Sequence, residues 1–166
     1  MRKLAVVLTA VAALGWAATA EAKLTPVEQT WAKPMISVWN EQNLALHVIV
    51  QAASAKSALI AGTTNNKRLT VILNTFVVCN SLIRKAGNPP APRLQPFATA
   101  LGSACTHNTA GATDFAKAVG AVGKSKADQA QTLLKAGVAQ FRLGTTALAQ
   151  AKARLVAVGG TNIFKA

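Results

Sequence analysis

An all-α fold, an antiparallel up-down-up-down four-helix bundle closed by one disulfide, is predicted by three features of the sequence. Apolar residues recur at three- and four-residue steps through four long segments, start and stop signals bracket those segments, and the connections between them are short. No run pairs as strands, and neither an internal repeat nor a nucleotide-binding glycine pattern occurs.

Residues 1–22 read as a secretory signal peptide: Met-Arg-Lys, an apolar run from Leu4 to Ala18, then small residues at a spacing signal peptidases accept. Cleavage is expected after Ala20 or Ala22, and no cysteine follows either site to take a lipid anchor. The apolar run is short for a membrane span. Residues 23–160 then form a four-helix bundle domain and 161–166 a flexible C-terminal tail. The expected location is secreted or periplasmic.

The first helix opens on Thr25-Pro-Val-Glu28, a capping box with proline at the first helical position, and can run to Ala61 before Gly62, with Pro34 inside it. Thr63 to Asn66 reads as a turn. Leu69, Ile72, Phe76, Cys79, Ile83 and Ala86 then form one stripe, stopped by Gly87 and the proline-rich Asn88-Pro-Pro-Ala-Pro92. The third stripe runs from Leu94 through Phe97, Leu101, Cys105, Asn108, Ala112, Phe115 and Val119 to Val122, closed by Gly123; Pro96 fits there only in the first turn. Ser125-Lys-Ala-Asp128 starts the fourth helix, which carries Leu134, Val138, Phe141, Leu148, Leu155 and Val158 inward and stops at Gly159-Gly160. Alanine and glycine at many stripe positions suit closely approaching helices, and equally suit a chain that is simply alanine-rich.

Cys79 lies eight residues before Gly87 and Cys105 nine after Pro96, so the two reach similar heights on consecutive antiparallel helices, both on the inward stripe. That placement, in an exported chain, predicts a Cys79–Cys105 disulfide. It also decides how to read the adjoining His107. Two residues along a helix turn the side chain by about 200°, so an inward thiol leaves the imidazole outward, and a shared metal is not expected. His47 likewise falls on a polar stripe, among Asn40, Asn43, Gln51 and Ser54.

The chemistry of several bundle enzymes is missing. There is no Glu-x-x-His for a di-iron centre, no Cys-x-x-Cys-His for covalent haem, and no recognisable nucleophile motif. No cofactor, metal site or catalytic residue is assigned. Trp31 and Trp39, around Pro34, are candidates for an apolar-ligand site, though the plainer reading is two core or half-buried aromatics closing one end of the bundle.

Charge is the strongest functional cue. The full chain carries a formal net charge of +13 from 18 basic and 5 acidic residues; removing 1–22 takes Arg2, Lys3 and Glu21 and leaves 16 − 4 = +12. Cations near helix carboxyl ends are explained by the helix dipole, but Lys67, Arg68, Lys124 and Lys126 fall near helix starts, where the dipole opposes them. Those four are the anion-binding candidates. The expected function is an exported, basic, non-enzymatic bundle that binds an anionic envelope polymer or an acidic lipid surface. Nucleic acid fits less well, since no aromatic-basic interleaving is present. Two alternatives are a carrier or sensor module holding a small apolar or haem-like ligand between helices near Trp31 and Trp39, and an enzyme of unrecognised type.

Overall fold

The computed structural model of the chain describes residues 23–54 and 63–160, without the side chains of 50–54 and 63–69. The expected signal peptide, the C-terminal tail, the end of the first helix toward Ala61 and the side chains of Lys67 and Arg68 lie outside the described residues. Four α-helices make up the rest: α1 (Pro26–Ser54), α2 (Thr63–Ala86), α3 (Gln95–Val122) and α4 (Ala127–Ala157), with a 3-10 turn, Pro92–Leu94, leading into α3.

The topology follows from which residues meet. Trp31 of α1 bonds to Gly87 while Gln42 bonds to Thr75, so advancing along α1 means retreating along α2. Cys79 and Cys105 are bridged, and Thr109 donates to the Phe76 carbonyl, which sets α3 antiparallel to α2. Gly111 faces Gly137 while Asn108 faces Gly144, so α4 reverses again. The up-down-up-down bundle with one disulfide is the observed fold.

The aromatic centre is Phe141 of α4, whose ring centroid is 5.1 Å from Phe76 and 5.9 Å from Phe115. Phe97, Leu101, Met35, Ile49, Leu148 and Leu155 extend the core to both ends, each fully buried. Large apolar side chains of this kind contribute roughly 1.5–3 kcal/mol apiece on full burial. α3 and α4 approach most closely, because glycine removes side chains at their crossing. A Cβ on Gly137 would lie 3.1 Å from the Gly111 carbonyl oxygen, and one on Gly111 would lie 2.9 Å from the Phe141 ring. Ala104, Ala118, Ala147 and Ala151 are buried along the same pair, so the small residues serve close approach there.

Two boundaries and the facing of one residue differ from the sequence reading. Thr63 to Asn66 is the first turn of α2, not a connecting turn; threonine and asparagine favour helix starts as much as turns, so the two signals coincide. α4 begins at Ala127, with Ser125 in the left-handed region at φ 56° and Lys126 as an N-cap that makes no side-chain bond. The bend is held instead by main-chain bonds from Ser125 N to Val122 O and from Lys126 N to Ala121 O, both 3.0 Å. Val119 is exposed. The inward path steps from Phe115 to Ala118, whose small side chain suits the close α4 neighbour.

Candidate functional site

The end of the bundle that holds residue 23 is built around one carboxylate. Glu28 closes the capping box, its Oε2 accepting from the Thr25 amide at 2.7 Å while its own amide donates to Thr25 Oγ1 at 3.3 Å. The same side chain takes a two-pronged bond from Arg93, with Nε to Oε1 at 2.7 Å and Nη2 to Oε2 at 2.5 Å. The Arg93 hydrogen bonds hold the Glu28 carboxyl at about 2, against an ordinary 4.5, although burial pushes the other way. Sequence reasoning assigned Glu28 to the helix start and Arg93 to a basic end separately. Their pairing across 65 residues is what it missed, and only the tertiary fold brings them together.

Cys79 and Cys105 are fully buried and bridged, with Cα atoms 5.5 Å apart. The neighbouring His107 corrects its expected orientation: it is half-buried, not solvent-facing, and its Nδ1 is bonded to Gln140 of α4 at 2.8 Å. The crossing of α3 with α4 places that polar partner beside it. His47 is exposed, as expected. Among the described residues no group of three or more His, Cys, Asp or Glu is placed to hold a metal ion.

The two candidate tryptophans serve different neighbours. Trp39 is half-buried toward α4, where its Nε1 donates to the Leu148 carbonyl at 2.8 Å and Lys152 lies 5.6 Å from its ring centre. Trp31 turns toward the end of α2, donating to the Gly87 carbonyl at 3.2 Å and meeting Phe97 edge-on with ring centres 6.1 Å apart. Beside Trp31 an open, mainly apolar depression is lined by Val27, Thr30, Pro34, Ala86 and Pro90. The indoles therefore do not line one enclosed cavity.

A second polar group sits deep in the core. Asn108, wholly buried, donates through Nδ2 to Gln42 Oε1 at 3.0 Å, and Gln42 in turn donates to the Thr75 carbonyl at 2.8 Å. Asn108 Oδ1 has no partner and points at Gly144. The chain of amides ties α3 to α1 and α1 to α2, a role the apolar stripe assigned to Asn108 did not suggest.

Every described lysine and arginine except Arg93 is exposed. Of the four anion-binding candidates, Lys124 and Lys126 flank the α3–α4 turn in solvent. Lys67 and Arg68 lie on the second turn of α2, and on the register set by Cys79–Cys105 they are level with Lys117 rather than with the turn itself. One ion pair, Arg93–Glu28, joins described residues. No described helix is long and apolar enough to cross a membrane. No protein-family model matches the chain, and neither a curated protein nor a solved structure is similar to it.

Proposed function

We propose that the protein is an exported, non-enzymatic helical bundle that binds an anionic surface or polymer of the cell envelope. The observation that carries this reading is the disposition of charge. The described cations other than Arg93 are exposed on all four helices and in the α3–α4 turn, while the one carboxylate that is strongly engaged, Glu28, is consumed by Arg93. Such a surface lowers its own electrostatic energy by taking up anions. The buried disulfide supports an oxidising compartment and hence export. The alternative of a carried apolar or haem-like ligand is weakened by the open form of the Trp31 depression and by the separate surroundings of Trp39.

The test is retention on an immobilised soluble polyanion as salt is raised. Binding that weakens steeply with salt is expected. No retention at low salt would reject the proposal, and an apolar ligand found by native mass spectrometry in protein that ignores polyanions would put the carrier reading in its place.

A further inference from the structure

Of the eight large apolar residues exposed among the described ones, Val71 and Val78 share one face of α2 and Val27 stands beside that face on α1, while Leu44, Val77, Val119, Leu143 and Val156 fall elsewhere. On α2, Val71, Thr75, Val78, Leu82 and Ala86 follow one another at steps of four, three, four and four, so they share a single helical face. That face borders α1, because the Thr75 carbonyl accepts from Gln42 and Ala86 lines the depression beside Trp31. Its outer edge is uncovered: Val71 is 67% exposed and Val78 45%. Across the seam α1 contributes Val27, also 67% exposed, with Trp31 and Pro34 above it. Together they make a largely apolar strip along the α1–α2 pair, interrupted by the exposed Asn74.

By position along α2, a lysine falls at each end of this strip. Lys67 lies one turn before Val71 and Lys85 seven residues after Val78, so Lys67, Val71, Val78 and Lys85 occupy one line along α2, about 27 Å long at ~1.5 Å per residue. Lys85 and its neighbour Arg84 are exposed. On the α1 side the nearby described carboxylate is Glu41, which accepts from Ser37; Glu28 is turned away and neutralised by Arg93.

We infer that this α1–α2 face lies on an acidic lipid surface, the valines and Trp31 entering the boundary between headgroups and acyl chains and the terminal lysines reaching anionic headgroups. An apolar strip with basic residues at its ends is the arrangement that lies in the plane of a membrane interface, where lysine stems extend along the apolar zone and carry the charge to the headgroups. A half-exposed indole suits the same boundary. Charge decides against a second copy of the chain, since two such faces would bring lysine against lysine between molecules each carrying +12 without residues 1–22. Shape decides against a small ligand, because the depression is open. The inference rests on the anion-binding reading above and narrows it to one surface and one partner.

The experiment compares three ligands, vesicles rich in acidic phospholipid, vesicles of zwitterionic phospholipid and a soluble polyanion, using the chain as the cell produces it. The wild type is set beside the triple variant Val27→Ser, Val71→Ser, Val78→Ser and the double variant Lys67→Gln, Lys85→Gln. Wild type should prefer acidic vesicles. The triple variant should lose at least about tenfold in affinity for them, given three exposed side chains denied burial, while keeping its polyanion retention. The double variant should weaken acidic-vesicle binding and reduce its salt dependence. Polyanion retention without acidic-vesicle binding would overturn the lipid inference alone, whereas failure to bind either would reject the broader proposal. Acidic-vesicle binding unchanged in the triple variant would likewise overturn the inference, as would equal loss toward vesicles and polyanion at an unchanged melting temperature. If the triple variant melts lower, Val71→Ser alone carries the test, read as a smaller loss on acidic vesicles only.

Discussion

Asn108 Oδ1 occupies the space in which Gly144 would otherwise carry a side chain: a Cβ there would lie 1.8 Å from that oxygen. Gly144→Ala must therefore displace a buried amide that is also bonded to Gln42. Destabilisation of about 2–3 kcal/mol is expected in denaturant unfolding, as for an overpacked core that also strains a hydrogen bond. Combining it with Asn108→Ala should cost less than the sum of the two single changes, because the clash disappears. Strict additivity would show that the two residues do not interfere.

The buried bridge leaves no free thiol, so thiol titration of denatured, unreduced protein should read zero. Closing a loop with a sequence separation of 26 corresponds to ~3.5 kcal/mol in the chain-entropy account, before native-state effects. Reduction should lower the melting temperature clearly while far-ultraviolet dichroism at low temperature stays helical. Two titratable thiols before reduction would contradict the pairing.

Acid should release the Glu28–Arg93 contact. The Glu28 carboxyl titrates at about 2 in the folded chain and near 4.5 when free, so the unfolded chain binds its proton first as pH falls. The contribution is complete above about 4.5 and disappears as pH descends toward 2. The stability difference between wild type and Glu28→Gln should therefore be constant at neutral pH and shrink across that window. A difference that stays constant down to pH 2 would show that the pair does not couple folding to protonation.

Lys126 is the N-cap of α4, where the helix dipole repels it, whereas Lys124 lies just past the carboxyl end of α3, where the dipole attracts it. Changing Lys126 to glutamine should raise stability by about 0.3–1 kcal/mol at low ionic strength, with the gain fading in salt, and changing Lys124 should give no such gain. If Lys124, Lys126, Lys67 and Arg68 form the principal anion contact, replacing all four should weaken polyanion retention more than replacing Arg84, Lys85 and Arg154. Equal losses would mean that charge acts diffusely over the whole surface.

How far each of these features could be read in advance depends on its range along the chain. Cys79–Cys105 was legible because helical periodicity and the nearby stop and start signals, Gly87 and Pro96, set both height and facing. The capping by Glu28 was legible for the same reason. Its bond to Arg93 was not, because a pair separated by 65 residues leaves no local pattern. Gly111, Gly137 and Gly144 suited close approach and mere composition equally, and only the crossing of α3 with α4 decides between them. Asn108 was counted as one more stripe residue, since periodicity gives direction and says nothing of polar partners. The cations were visible as a surplus, since a count of charges needs no tertiary structure.

The bridge between Cys79 and Cys105 staples α2 to α3, and the glycine crossing locks α3 to α4, yet no covalent link reaches α1. That helix is held by Trp31, Trp39, Gln42 and Glu28 and by its buried apolar side. The molecule is thus a three-helix block with a detachable fourth stave, and its amide protons should record the division. Exchange with solvent deuterium should be fastest in α1 and slowest across α3 and α4, because local opening releases the least-anchored element first. Any surface that engages Val27 and Trp31 would then be felt as slowed exchange in the stave itself, well before the block responds.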